Sequence, residues 1–488
     1  MNHCLLFNVS AESSVRGYGV YKIAHHLRLN NWDSEVIDFT IDWSLGELKE
    51  LAKSRISLNT RFIGFGHLFT YWNTTLETFC AWLKQIYPHL IFISGSQSFP
   101  TYESKYIDHY ILGHSENALI ALLKNLFSNG EPIIKTGFSW TNKKVILANN
   151  IHSPYSSGFM TNLEVQYQDR DFIREGEWLT MEFSRGCKFK CSFCDFPYLN
   201  AKGNYIVAKE NFVTQMKENY DRFGVKNYIV ADSTFNETTE KIRTYAEGVD
   251  ELDFVPFFSG FMRADLLISR PQDKEDLLRM NYLGHAYGVE TLNKLAGSTI
   301  GKGMDPDKIK TGIYDIHKYF TTHGRKLYSA TLTMIAGLPY ENKESLETTI
   351  RWLEKLPPEI AFQMSPLMIT KHNYGAPSAF SLDWEKYGYT DQGSSVKSKL
   401  DSSRNIVNWK NDHMTFDEAS TISKNACDRG FDRYRYVDSW ALSLFCMQGM
   451  TVEERLSTGS DFIDTTEGLS NTHTFIKNYI RQKLNYAT

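Results

Sequence analysis

The chain has 488 residues, too many for one hydrophobic core, so two or three domains are expected. Hydrophobic residues at 42% and charged residues at 23% exclude a disordered chain. A net charge of −4 and a pI near 6.4 argue against a broadly basic nucleic-acid face.

In chain order, Cys4-Leu-Leu-Phe-Asn-Val9 reads as a buried strand, followed by a Gly-containing turn and a helix from about Tyr18 to Leu29. Further strands are expected at Glu35–Phe39, Arg61–Phe65, Leu90–Ser94 and Tyr106–Leu112, with helix-length spacers, and Ser115 is placed to cap a helix through about Phe127. Such alternation implies a parallel, doubly wound, Rossmann-like α/β domain over 1–150. Two strand-like pieces around Thr141-Asn-Lys-Lys144 read as a hairpin closing it, and 151–177 reads as a linker without clear periodicity. No internal repeat or low-complexity tract is seen.

A second βα series spans 178–370. Its strands are expected at Thr180–Ser184, Tyr228–Ala231, Val255–Phe258, His285–Glu290, Leu327–Ala336 and Ile360–Met364. Helical spacers include Thr238–Val249, Lys274–Leu283, Pro306–Phe320 and Glu344–Leu356. Six units suit an open, partial (β/α)6 barrel, whose functional loops would lie at the carboxyl ends of the strands. Residues 371–413 are polar and rich in Ser, Gly and Asp and read as surface loop. From Phe416 the tail reads as helical, giving a mainly α-helical region over 371–488 whose role is not legible in sequence.

The apolar runs, such as Leu90–Gly95, fall far short of the roughly 20 residues needed to cross a bilayer. The start, Met-Asn-His-Cys, lacks a basic segment followed by an apolar one. A cytoplasmic protein with no membrane partner is expected. Seven cysteines, three of them within eight positions, suit a reduced metal-binding protein better than a disulfide framework.

Those three form Arg185-Gly-Cys187-Lys-Phe-Lys-Cys191-Ser-Phe-Cys194, a C-x3-C-x2-C loop at the end of the first strand of the second series. Three thiolates on one loop can hold three irons of a [4Fe–4S] cube and leave the fourth open to an exogenous chelator. A structural zinc site wants four protein ligands, usually in two pairs, and an electron-transfer ferredoxin site also wants four cysteines. Cys4, Cys80, Cys427 and Cys446 are scattered, mostly in apolar stretches where cysteine acts as a small buried hydrophobe.

The phrase Glu182-Phe-Ser-Arg-Gly-Cys187 through Cys194 resembles the signature of radical SAM enzymes, especially those with an N-terminal cobalamin (B12)-binding-type domain. The resemblance covers most of residues 1 to about 367. It implies that Cys187, Cys191 and Cys194 ligate a [4Fe–4S] cluster and that S-adenosylmethionine chelates the open iron. One-electron reduction then yields methionine and a 5′-deoxyadenosyl radical. Phe193 would lie against the adenine, or would pack the core around the cluster. An electron donor such as flavodoxin or ferredoxin is implied, and an unidentified substrate: a small molecule, peptide or nucleotide.

Four further segments follow the family's order. Ile229-Val-Ala-Asp232-Ser-Thr-Phe235-Asn236 resembles the D-D-x-F stretch, so Asp232 faces SAM or substrate, or caps the next helix. Arg263 resembles a recurring arginine able to pair with the SAM carboxylate, against a solvent-exposed arginine as the plain alternative. Gly288-Val-Glu290-Thr291 resembles G-x-E-S/T and places Glu290 where it can bond a ribose hydroxyl. Gly337-Leu-Pro339-Tyr-Glu341-Asn resembles the G-L-P-G-E-T turn, from which Tyr340 and Asn342 depart.

Some cobalamin proteins carry D-x-H-x-x-G at the first strand-to-helix turn, with the histidine ligating cobalt. Here Ser14 and Arg16 stand at the Asp and His positions, so that ligation is not available. Ser94-Gly-Ser96 and Gly113-His-Ser-Glu116 either line a flat cofactor or simply turn the chain, and His114 reads as a surface residue. Cobalamin is an open expectation, and methyl transfer to an unactivated carbon would follow from it. The alternative to an enzyme is a non-catalytic iron–sulfur or cobalamin-fold binding or sensor protein. A zinc-stabilised structural protein is the third reading.

Overall fold

The computed structural model describes residues 1–9, 16–67, 74–96, 104–128, 130, 139–140, 143–148, 165–194, 205–324, 328–370, 378–393, 396–397, 405–430 and 465–486. Ser14, the Thr141-Asn142 turn and Cys446 lie outside these residues.

The first sheet contains β1 (Asn2–Val9), β2 (Trp32–Ile37), β3 (Thr60–His67), β4 (Ile91–Ser96), β5 (His109–Leu112), β6 (Ser139–Trp140) and β7 (Lys143–Leu147), in the order β2-β1-β3-β4-β5-β7-β6. Every pairing is parallel except that of β6 with β7, which forms the expected hairpin. The order reverses between β1 and β3, the kind of switch point where open α/β sheets receive ligands at the carboxyl edge. Two-residue alternation divides the core. Cys4 and Leu6 face α1 (Tyr18–Leu29) and α4 (Glu116–Phe127), while Leu5, Phe7 and Val9 face α2 (Leu45–Arg55) and α3 (Thr74–Ile86). Cys4 and Cys80 are fully buried, as apolar packing predicts.

The second sheet is six-stranded and parallel: β8 (Trp178–Met181), β9 (Asn227–Val230), β10 (Phe257–Met262), β11 (Tyr282–Glu290), β12 (Ser329–Ala336) and β13 (Ile360–Pro366). Strands pair in strict sequence order, and among the described residues β13 does not close onto β8. The barrel is open. Its helices are α5 (Lys209–Phe223), α6 (Thr239–Val249), α7 (Ala264–Ser269), α8 (Asp273–Arg279), α9 (Lys294–Ile300), α10 (Pro306–His323) and α11 (Lys343–Leu353). Asp305 caps α10 with Pro306 at its first turn, and Asn342 and Ser345 form a capping box on α11.

Several boundaries move. The helix expected over Lys274–Leu283 ends at Arg279, because Asn281 turns left-handed (φ 54°) and β11 already begins at Tyr282. The strand expected at Val255–Phe258 runs from Phe257 to Met262, where it pairs on both sides. The first barrel strand stops at Met181, and Ser184–Arg185 pairs antiparallel with Tyr205–Ile206 instead. Residues 165–177, part of the segment without periodicity, pack tightly. Tyr167 sits against Tyr21 at 4.9 Å between ring centroids, and Glu177 accepts from Arg16 Nε at 2.7 Å.

Helix α12 (Phe416–Gly430) lies against β13, with Gly430 close to the Phe362 ring. Helix α13 (Thr465–Asn485) returns to the first sheet, where Phe475, Ile476, Tyr479 and Ile480 join the core beside α2 and α3. No described helix is long and apolar enough to cross a membrane.

Candidate functional site

All the sequence-flagged positions of the barrel lie at the carboxyl ends of its strands, as expected for this layout. The cysteine loop follows β8 and is held from three sides. Thr234, after β9, brings its hydroxyl to 3.7 Å from Cys187 Sγ, and Lys188 Nζ donates to the Glu237 carbonyl at 2.6 Å. From α9, the Thr299 carbonyl accepts from Ser192 Oγ and the Ile300 carbonyl from the Ser192 amide. The Phe380 amide donates to the Ser192 carbonyl at 2.7 Å.

Burial pushes the Cys187 thiol pKa up, and the neighbouring Glu237 and Cys191 add to the effect. Among the described residues no three His, Cys, Asp or Glu side chains are drawn together as a metal cage. The donor set itself fits an iron–sulfur cube: three half-buried soft ligands on one short loop, facing a cation.

That cation is Arg263, which follows β10. It forms a two-pronged pair with Asp265 (Nε–Oδ1 3.0 Å, Nη2–Oδ2 2.6 Å), lies 4.2 Å over the Phe189 ring and donates from Nη1 to Cys191 Sγ at 3.3 Å. It is not solvent-exposed; burial works against its charge, but Asp265 outweighs it and raises the pKa. Phe193 is half-buried and packs against the main core.

Asp232 is fully committed inside the protein. Its Oδ1 accepts the amides of Phe183 (2.8 Å) and Ser184 (3.0 Å); its Oδ2 accepts from Ser184 Oγ (2.7 Å) and Lys241 Nζ (2.6 Å). The helix-cap alternative is corrected: Thr238 caps α6, its hydroxyl accepting from the Lys241 amide. Asp232 thus ties the base of the cysteine loop to α6. Lys241→Met would strand a buried carboxylate and should cost about 3–5 kcal/mol of stability, measured by urea unfolding. A loss below 1 kcal/mol would contradict this.

Glu290 ends β11 at a register irregularity with φ 70°, a strained left-handed geometry of the kind that collects at functional sites. Burial raises its pKa, against Lys302, whose Nζ is 3.9 Å away, and Arg263. A methyl group at Gly288 would fall 2.4 Å from Glu290 Oε1, so any side chain there would push the carboxylate aside. Next to it, Glu341 fastens the turn after β12: Oε2 accepts the Gly337 and Leu338 amides at 3.0 Å each, and Oε1 accepts from Thr291 Oγ1 at 2.6 Å. The turn motif was visible in sequence, but not that its carboxylate is the clasp.

Burial pushes Glu341 up to about 7 despite those hydrogen bonds. Between pH 4.5 and about 7 the folded protein therefore holds a proton that the unfolded chain has lost. This stability is complete below the unfolded value and lost as pH rises through the folded one, about 3 kcal/mol in all. Melting midpoints of wild type should fall across that window relative to Glu341→Gln. Parallel curves for the two proteins would contradict it.

In the first domain, Arg16 is buried in a network: Nε and Nη2 on Glu177, Nη1 on Tyr21 and 3.7 Å from Asp38, and Nη2 on the Phe172 carbonyl. The expectation for His114 is corrected. It is half-buried beside Arg185 and Glu116, and burial lowers its pKa to about 4. Sequence reasoning passed over Lys22, and quoted Glu116, Glu182 and Arg185 within motifs without seeing that the four form a buried set of ion pairs joining the two βα units. Only the placing of Lys22 on a helix face otherwise apolar could have hinted at it.

A cavity of about 1130 Å³ opens instead at the amino-terminal strand ends, near His3, Asp33 and Arg170. Its arginines, Arg55, Arg170 and Arg222, are all paired within the protein. The clustered chemistry lies at the opposite edge.

Residues 181–353 match the model of the Radical SAM superfamily. No curated protein sequence matches the chain. Among solved structures, the apo cobalamin-dependent S-adenosylmethionine radical enzyme OxsB superposes with a TM-score of 0.60 at 14% identity, over 97% of this chain and 72% of that one. OxsB with aqua-cobalamin and S-adenosylmethionine bound gives 0.59 at 13% identity, over 98% and 72%. The two chains thus share a fold across both βα units. Residues 181–353, from the end of β8 through α11, are a radical SAM superfamily domain.

Proposed function

We propose that this chain is a radical SAM enzyme in which Cys187, Cys191 and Cys194 hold three irons of a [4Fe–4S] cluster and S-adenosylmethionine takes the fourth. The reading rests above all on one observation. A three-cysteine loop after the first barrel strand meets Arg263, which follows a later strand and whose charge also reaches Glu290, within a matched superfamily domain. When bound, the cluster supplies the electron that splits the sulfonium to methionine and a 5′-deoxyadenosyl radical.

The chain's own residues bind and orient. Arg263, poised beside Cys191, pairs with the carboxylate of the methionyl group, and Glu290 accepts from a ribose hydroxyl. Phe193 offers an aromatic face beside the last cysteine. Asp232, Lys241 and Glu341 hold the strand-end loops in register without touching the ligand.

We further read the first sheet as a cobalamin site, supported by its β2-β1-β3-β4-β5 order and by the fold shared with OxsB. Arg16, locked onto Glu177 and Asp38, cannot serve cobalt. Methyl transfer to an unactivated carbon of an unidentified substrate is the favoured reaction; without cobalamin it is hydrogen abstraction leading to another carbon-centred rearrangement. A cytoplasmic setting with a flavodoxin- or ferredoxin-type donor fits this chemistry. The test is anaerobic reconstitution with iron and sulfide, followed by SAM and dithionite. Formation of 5′-deoxyadenosine is expected, and an absorbance change on adding aquocobalamin. Zinc in place of iron, or a cluster whose signal SAM does not alter, would refute the assignment.

A further inference from the structure

The two βα units meet through four buried charges. Lys22, on α1, pairs with Glu182. Glu182 also accepts from Arg185 Nε at 2.7 Å, and Arg185 Nη2 reaches Glu116, the first residue of α4. Two cations and two carboxylates balance. Burial opposes the charge of Glu182, but Lys22 and Arg185 outweigh it and hold its pKa near 2. The side chains of Arg185 and Glu116 are 2% and 3% exposed.

The connection is short at both ends. Arg185 is two residues before Cys187, with only Gly186 (φ 92°) between. Glu116 directly follows the turn at the carboxyl end of β5, where Gly113 is also left-handed (φ 99°). Neither neighbour of the pair is free to drift, because Asp232 fixes Ser184 from below and α4 is packed on the sheet through Leu119 and Leu123. Buried ion pairs of this kind add little net stability over apolar packing but can fix one arrangement of the elements that carry them.

We propose that Glu116 is a positioning residue of the first domain that sets the cysteine loop through Arg185, so that the carboxyl edge of the first sheet and the Cys187–Cys194 loop move as one unit. This deepens the function proposed above, and the test separates the two. Hydrogen–deuterium exchange on the full-length protein, as isolated, reads loop order whether or not a cluster is present. In Glu116→Gln, amides of 183–194 should exchange about 2- to 30-fold faster. In the comparison variant Lys483→Met, which breaks an equally buried pair with Glu35 far from the loop, they should not.

The same Glu116→Gln protein, reconstituted, should bind iron yet form 5′-deoxyadenosine about tenfold more slowly. Unchanged exchange at 183–194, or equal acceleration in Lys483→Met, overturns the positioning role. Should Glu116→Gln fail to fold, Glu116→Asp, which keeps the charge and shortens the arm, decides by the same exchange readout. Absence of iron in reconstituted wild type overturns the enzyme assignment alone, since the exchange comparison still stands.

Discussion

Cys191→Ala should reduce 5′-deoxyadenosine formation to the no-enzyme background and leave the reconstituted protein with little iron. The expectation is stronger than for a typical ligand substitution, for two reasons. Only three thiols occupy the loop, and the other described cysteines are elsewhere: Cys4 and Cys80 buried in the first core and Cys427 bonded to the Met364 carbonyl. Among the described residues no spare sulfur stands ready to substitute. Removing Cys191 also leaves Arg263 without the sulfur it donates to, so the cation aimed at the site loses its anchor on that side. Iron and sulfide analysis, with chromatography of the nucleoside product, checks both halves. Cleavage at the wild-type rate would show that Cys191 is not a ligand.

The fold was largely legible because its signals are local. Short apolar runs alternating with helical periodicity gave both βα series, and the open barrel followed from counting six of them. Where boundaries shifted, pairing decided: Phe257–Met262 is a strand because both neighbours bond to it, a fact no window of sequence carries. The site was legible in part for a related reason. Gly337 marks a place where backbone geometry admits little else, at φ 90° with a methyl group there only 2.4 Å from the Trp409 ring. The partner of a charge is another matter. Asp232 was readable as a polar strand-end residue, but its four donors come from residues 183, 184 and 241. Nothing in the order of residues says that Arg185 meets a carboxylate 69 positions away.

Deleting residues 465–488 should unfold the first domain rather than trim a dispensable tail. Helix α13 is far in sequence from the sheet it covers, which is why its role could not be read, yet it supplies one wall of that core. Tyr479 stands 5.4 Å from Phe39 and 6.5 Å from Trp43, ring to ring, and its hydroxyl accepts the Asp38 amide at 3.0 Å. Lys483 Nζ pairs with Glu35 at 3.1 Å, and its carbonyl and that of Tyr486 accept from Arg55. Burying Phe475, Ile476, Tyr479 and Ile480 contributes about 1.5–3 kcal/mol apiece. Together that rivals the whole net stability of a domain, about 5–15 kcal/mol. Glu35 would keep only Arg55, at 3.2 Å, as a counter-charge. The truncated chain should lose near-UV circular dichroism from the aromatic core and expose the Asp38 and Glu35 region to proteolysis. A truncation that melts within a degree or two of the full chain would show that α13 merely rests on the surface. Because the first domain also carries Glu116, the same truncation should loosen the cysteine loop, joining the two ends of the chain to the site between them.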